Sequence, residues 1–293
     1  MNKQNRLILI DGSAYIFRAY YGLPPMNRPD GTPINAVFGF TNMLVKLIED
    51  YRDEKMIVVF DAARENFRNK IFKEYKANRG ETPEDLIPQF EIIRECVDAF
   101  KIPQIEIEGF EADDIIATYC KLAIKDKMES VIVSSDKDLM QLVNKNVSMF
   151  DPMKNKKIGI DQVIEKFGLP PEKVVQIQAL TGDKVDNIPG APGIGAKIAA
   201  ALLTEFGSIQ KLYASLDKVP DMKLRGAKKV YDILLRHRDD IDLYRRITGI
   251  ACDIPIKVTL EDLRIKPQPI EEIKEFFDEM AFSKRIRDRL GQA

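Results

Sequence analysis

The chain has 293 residues, 45% apolar and 31% charged, enough to bury a sizeable core in one or two domains. Its 45 Lys and Arg nearly balance 46 Asp and Glu, a formal charge of -1 with a pI near 6.1, which alone argues mildly against a nucleic-acid partner. His237 is the only histidine and Cys96, Cys120 and Cys252 show no CxxC spacing, so two-histidine metal sites, zinc ribbons and disulfide frameworks are excluded and chemistry must rest on carboxylates, amines and hydroxyls.

From the start, LILI (7–10) reads as a strand that Asp11 ends after four residues. No apolar run approaches the ~20 residues of a membrane span, and with no signal peptide visible the cytoplasm is the expected location. Further strands are predicted at MIVVF (56–60), PQIEI (103–107) and SVIVS (130–134). Between them, apolar residues recur at helical spacing over about 34–51, 84–100 and 111–126. This alternation predicts an α/β unit with a largely parallel sheet. Residues 64–79 carry six basic residues against Glu65 and Glu74, and residues 221–238 again carry six against two acids; either run reads as a solvated face or a contact for phosphates. After Phe167-Gly168-Leu169-Pro170-Pro171 the strand signal fades. The expected organisation is a catalytic α/β domain over 1–168 and an all-α subdomain over 169–293.

Three predicted strands run into an aspartate, Asp11, Asp61 and Asp136, and in an open parallel sheet such residues converge where ligands bind, beyond the carboxyl ends of the strands. Glu111, Asp113 and Asp114 open the helix at 111–126, and Asp138 follows Asp136 at a spacing that points both the same way on extended chain. Taken singly, such acids are turn formers or complements of a helix dipole. Together they would repel and raise one another's pKa unless cations sit among them, and hard oxygen donors without His or Cys suit Mg²⁺ or Mn²⁺, two ions for a cluster of this size. Asp183 and Asp186 follow on a loop, immediately before Gly190, Gly193 and Gly195. That glycine run fits neither a dinucleotide fingerprint nor a P-loop, since no strand precedes it and no GK[ST] follows. It reads as a hairpin between two helices, either a plain turn between core helices or one whose glycines and helix-opening N–H groups suit a phosphate.

In order, Asp11-Gly12-Ser13, Val59-Phe60-Asp61, Tyr75-Lys76-Ala77-Asn78-Arg79, Gly109-Phe110-Glu111-Ala112-Asp113-Asp114, Ser135-Asp136-Lys137-Asp138-Leu139, Thr181-Gly182-Asp183 and Gly193-Ile194-Gly195 resemble the signatures of the 5′ nuclease (flap endonuclease) family. The nearest likeness is to the N-terminal 5′-3′ exonuclease domains of bacterial DNA polymerase I, over nearly the whole chain. The resemblance implies a PIN-like nuclease fold followed by a helix-hairpin-helix region, dependence on two Mg²⁺ or Mn²⁺ ions, and hydrolysis of DNA at a 5′ flap, nick or single-stranded 5′ end, as in primer removal and repair. It implies that Asp11, Asp61, Glu111 and Asp113 serve the first ion and Asp136, Asp138 and Asp183 the second, with Asp114 and Asp186 as further acids whose direct ligation stays open. Lys76 and Arg79 match catalytic cations in a segment arching over the site, expected to be weakly packed without DNA. Phe17 matches a base-contacting aromatic; Arg18, Arg68, Lys76, Arg79, Gly193, Gly195 and Lys197 complete the expected DNA-binding set. Ile198 departs from the family, where a Thr usually follows the hairpin Lys.

A two-ion site would lower the pKa of a water and stabilise both oxygens of an in-line displacement, with products bearing 5′-phosphate and 3′-hydroxyl as the resemblance implies. Two other readings are a catalytically silent module binding branched DNA and, for the first half, a PIN-type ribonuclease. A dehalogenase-type phosphatase is excluded because Asp11 lacks a second Asp two residues on. The expected state is a monomer, with a polymerase domain in cis or in trans, the closing residues falling near where such a domain would follow.

Overall fold

A computed structural model describes residues 5–52, 54–62, 65–264, 269–282 and 286. Arg64 of the first basic run and most of the closing residues lie outside them.

The order in the first unit is β1 (Arg6–Asp11), α1 (Gly12–Gly22), α2 (Asn35–Asp50), β2 (Lys55–Val59), α3 (Phe67–Ile71), α4 (Ile87–Ala99), β3 (Gln104–Ile105), α5 (Ala112–Lys125), β4 (Glu129–Val133), β5 (Val147–Asp151), β6 (Lys156–Ile158) and α6 (Ile160–Phe167). These strands form one sheet in the order β3-β2-β1-β4-β5-β6, parallel except for β6 against β5. The strands read as unbroken apolar runs because both faces are covered. Ile8 and Ile10 pack with α2 and α4 on one side, while Leu7 and Leu9 pack with α5 on the other. The four expected strands and three expected helices are present, though β3 shrinks to two residues. β5 and β6 escaped the sequence reading: β5 alternates buried and half-buried positions, and β6 has two exposed lysines in three residues.

Gly168, at φ +75°, ends α6 in the left-handed conformation that favours glycine. Beyond it come α7 (Val174–Thr181), α8 (Ala196–Phe206), α9 (Ile209–Ala214), α10 (Ala227–Arg236), α11 (Arg238–Thr248) and α12 (Ile270–Glu279). Helices α7 to α11 enclose a separate core that includes Ile177, Leu202, Leu234 and Ile247. The chain from about residue 250 behaves differently from the expected 169–293 block. Ile254, Leu260 and Leu263 cover the α5 face of the sheet, and Ile273, Phe276, Phe277 and Met280 of α12 join the core on the other face. The Leu263 carbonyl also accepts from the Met56 N–H at 3.0 Å, so the last segment closes back on the first unit. Among the described residues, no helix is long and apolar enough to cross a membrane.

Candidate active site

Register decides why the acids meet. Asp11 stands opposite Val59 of β2, and Ile10 opposite Val133 of β4, so three carboxyl ends finish level. Asp61 and Asp136 follow within two or three residues, and the helix N-terminus carrying Glu111 and Asp113 is drawn in by a bond from the Ala112 N–H to Asp61 Oδ1 at 2.8 Å. Asp11 accepts from the Ala14 N–H at 3.0 Å, capping α1, and from Ser134 Oγ at 2.7 Å. Burial pushes its carboxyl up to about 7, with Asp136 and Asp61 adding to the rise and the Ser134 and Ala14 bonds opposing it.

Across the junction, a crossing of two glycines shapes the loop that supplies Asp183 and Asp186. A Cβ on Gly190 would lie 2.2 Å from the Gly182 nitrogen, and one on Gly182 would lie 2.4 Å from the Ile188 oxygen; both have positive φ. Paired bonds of 2.8 Å between Asp183 and Ile188 close the loop. Glu111, Asp113, Asp138, Asp183 and Asp186 thereby line one cleft with Arg68, Tyr75 and Gln178. Asp113 is driven well above the usual carboxylate range, first by burial and then by Asp136, Asp11 and Glu111. Asp138 is pushed up to about 7 by burial and by Asp136 and Asp186, against the bond from Gln178. Asp136 accepts from the Asp138 N–H at 2.8 Å.

The cations are placed among these acids. Lys76 Nζ pairs with Glu111, Arg79 Nη2 with Asp186 Oδ1 at 2.9 Å, and Lys137 Nζ with Asp183. Burial would raise Glu111, but Lys76 and Arg68 outweigh it and hold its carboxyl below the ordinary range. Lys76 lies above its ordinary range: burial opposes its charge, and Glu111 and Asp186 prevail. The buried Tyr75 hydroxyl reaches both Glu111 Oε2 (3.0 Å) and Asp186 Oδ2 (3.2 Å).

Several expectations change here. The segment carrying Lys76 and Arg79 is not loosely packed: the Lys76 N–H donates to the Asp186 carbonyl, Asn78 to that of Lys184, and Asn187 to that of Glu74. Lys76 itself has φ +56°, a left-handed conformation uncommon for a side-chain-bearing residue. Arg68 is not a surface residue for DNA. It is 2% exposed, forks onto both Asp114 oxygens (2.7 and 2.8 Å), approaches Glu111 at 3.2 Å, and donates to the Ile247 and Gly249 carbonyls. Asp114, 0% exposed, also accepts from the Glu111 and Ala251 N–H groups, so its lone pairs are committed to the scaffold and it is not placed as an ion ligand. Phe17 is 38% exposed with its ring edge-on to Phe90, and Arg18 donates to Ser135 Oγ at 2.6 Å. Gly193, Gly195 and Lys197 stand apart at an exposed hairpin between α7 and α8, where Gly195 caps α8 with no side-chain acceptor for its first N–H groups. The positive φ falls on Gly193, not Gly195. Tyr75, Lys137 and Gln178 were missed as site residues, although Lys137 lies between two acids already singled out.

Among the described residues, no three His, Cys, Asp or Glu side chains stand about one point so as to hold an ion as they are. Their oxygens face Lys76, Arg79, Lys137, Gln178 and backbone N–H groups. The donor set nonetheless fits a hard divalent cation. It is all oxygen, and three of its carboxyls are held up by burial and mutual repulsion, which a cation among them would relieve.

This fold and cleft fall into a defined class. The family model for the 5′-3′ exonuclease N-terminal, resolvase-like domain matches residues 6–168, and that for the 5′-3′ exonuclease C-terminal SAM fold matches residues 169–271. The chain belongs to the 5′-3′ exonuclease family. It is 46% identical over 301 residues to DNA polymerase I of Rhizobium leguminosarum, covering all of this chain and 29% of that protein. It is 34% identical over 282 residues to a 5′-3′ exonuclease of Aquifex aeolicus (strain VF5), covering 96% of this chain and 94% of that protein. The chain thus spans about a third of the length of the DNA polymerase I relatives it matches. Among solved structures, a T5 5′-exonuclease with bound zinc superposes with TM-score 0.68 at 22% identity, covering 98% of this chain and 97% of that one. The catalytic core of Rad2 in complex with DNA substrate gives 0.67 at 14%, covering 99% and 92%.

Proposed function

We propose that the chain is a divalent-metal-dependent 5′-3′ exonuclease and structure-specific 5′-flap endonuclease, hydrolysing DNA phosphodiesters in primer removal and repair. The observation that carries this reading is the convergence on one cleft of carboxylates from both units, interleaved with Lys76, Arg79 and Lys137. Asp11, Asp61, Glu111 and Asp113 would hold one Mg²⁺ or Mn²⁺ ion, and Asp136, Asp138 and Asp183 a second, with Asp186 beside it. When bound, the ions supply a water of lowered pKa and charge to oppose that developing on the phosphate.

The chain's own residues do the rest. Lys76 and Arg79 offset charge on the scissile phosphate, and Tyr75 keeps Glu111 and Asp186 in place beneath them. Phe17, exposed one and a half turns into the helix that Asp11 caps, would meet a base of the strand entering the cleft. The hairpin at Gly193, Gly195 and Lys197 suits duplex phosphates, with Arg18 nearer the cleft. Residues 1–168 would form the catalytic domain, and the helical part from 169 would hold DNA while lending Asp183 and Asp186 to the site, its chain from about residue 250 returning to the first unit. Its relatives include both DNA polymerase I and 5′-3′ exonucleases matched over nearly their whole length, so a polymerase domain would act in cis or in trans. We place the protein in the cytoplasm as a monomer.

The deciding assay compares a 5′-flap duplex with single-stranded DNA, plain duplex and RNA, in Mg²⁺ and in EDTA. Cleavage of the flap substrate that needs Mg²⁺ and is lost in Asp113→Asn supports the reading. Cleavage of RNA alone, or flap binding without cleavage, would replace it with the ribonuclease or the silent module.

A further inference from the structure

Gln178, on α7, carries no charge, yet it is only 4% exposed and lines the carboxylate cleft. Its Nε2 donates to Asp138 Oδ1, from the first unit, and to Asp183 Oδ2 at 3.2 Å, from the loop of the second. The neighbours dictate the amide's orientation, because turning it over would set Oε1 against two carboxylate oxygens. Oε1 is left buried with no hydrogen-bond partner among the described residues. A buried amide oxygen in that state is costly unless a ligand completes it, and amide oxygens are ordinary donors to hard divalent cations and to their bound waters.

Among the described residues, Lys137 is the only other donor side chain on Asp183, and it reaches from the first unit as well. Asp138 has Gln178 as its one side-chain hydrogen-bond partner among the described residues. A methionine of similar length could fill the same space, so packing alone does not call for an amide here. We infer that Gln178 is a positioning residue for the divalent ion between the two units, its amide nitrogen spacing Asp138 and Asp183 and its free Oε1 turned to the ion or to a water on it. The inference rests on the metal-dependent reading above.

The test titrates the full chain with Ca²⁺ alone by calorimetry, with circular dichroism and melting in EDTA as checks on fold. The proteins are the wild type, Gln178→Met and Gln178→Glu. Methionine keeps the packing and removes the donor and the strong acceptor; glutamate keeps an oxygen at the Oε1 position and adds charge. The wild type should bind Ca²⁺, Gln178→Met should fold and bind the ion at this position about ten- to a hundredfold more weakly, and Gln178→Glu should bind at least as tightly as wild type. Equal Ca²⁺ affinity in wild type and Gln178→Met overturns the inference and leaves the metal reading standing. A wild type that takes up no Ca²⁺ overturns both. Should Gln178→Met fail to fold, Gln178→Leu decides, and Ca²⁺ affinity equal to wild type there refutes the role.

Discussion

Replacing Arg68 with methionine separates two roles that make opposite demands. Its donors are spent on Asp114, Glu111 and the carbonyls of Ile247 and Gly249, joining the start of α3, the start of α5 and the end of α11. Without it, Asp114 stays fully buried with two backbone N–H groups as its remaining partners, from Glu111 and Ala251. Stranding one member of a buried ion pair costs about 3–5 kcal/mol. The two carbonyls that lose their donor add roughly 1 kcal/mol each. Methionine refills most of the volume, so little cavity cost is added. The expected loss is about 5–7 kcal/mol, a large share of a typical 5–15 kcal/mol total, with a fall in melting temperature of roughly 10 °C. Urea unfolding followed by circular dichroism measures it. A surface DNA contact would instead leave stability within about 0.5 kcal/mol and lower the slope of log affinity against log salt by about 1. Unchanged stability together with that smaller salt slope would refute the buried-pin role.

The stability of the metal-free protein should depend on pH in an unusual direction for carboxylates. Asp11 and Asp138 titrate near 7 when folded and near 3.8 when unfolded, so the folded state holds their protons longer; their contribution is fully present below about 4 and is lost as pH rises through about 7. Melting in EDTA should therefore fall from pH 5 to pH 8, Mg²⁺ should raise it more at pH 8 than at pH 5, and Asp11→Asn should flatten the curve; a melting temperature that climbs over this range in EDTA contradicts the assignment. Gly190→Ala should disrupt the Asp183 and Asp186 loop, since its Cβ would sit 2.2 Å from backbone at φ +69°, whereas Gly195→Ala, in open space at φ -91°, should fold normally. Equal melting temperatures for these two variants would show that the glycine crossing is not needed. Lys197→Ala, on the exposed hairpin, should lower the salt slope of duplex binding by about 1 on any sequence and leave single-turnover cleavage nearly intact, as titrations at several salt concentrations on two unrelated duplexes would show; an unchanged slope removes the hairpin from the duplex-holding surface.

What could be read from the sequence was what depends on local order. Apolar runs at 7–10, 56–60 and 130–134 are long enough to announce buried strands, and parallel pairing then places Asp11, Asp61 and Asp136 at one edge wherever the helices lie. The Gly193 to Lys197 hairpin was likewise legible, because glycines before a helix-forming stretch mark a turn whatever surrounds it. What only the tertiary structure decided was the use of each charge. Arg68 and Lys76 sit in the same basic run eight residues apart, yet one is sealed against Asp114 and the carbonyls at the end of α11 while the other lies against Glu111 in the cleft. Lys137 and Gln178 matter because Asp183 arrives from the second unit, a contact spanning more than 40 residues for Lys137. The return of α12 to the sheet was equally hidden: its apolar face would suit either core, and only the three-dimensional path of residues 250–264 brings it to α4. Periodicity states that a face will be buried, but which partner buries it, and whether a cation there meets a carboxylate, a carbonyl or solvent, is set by long-range contacts that no local pattern encodes.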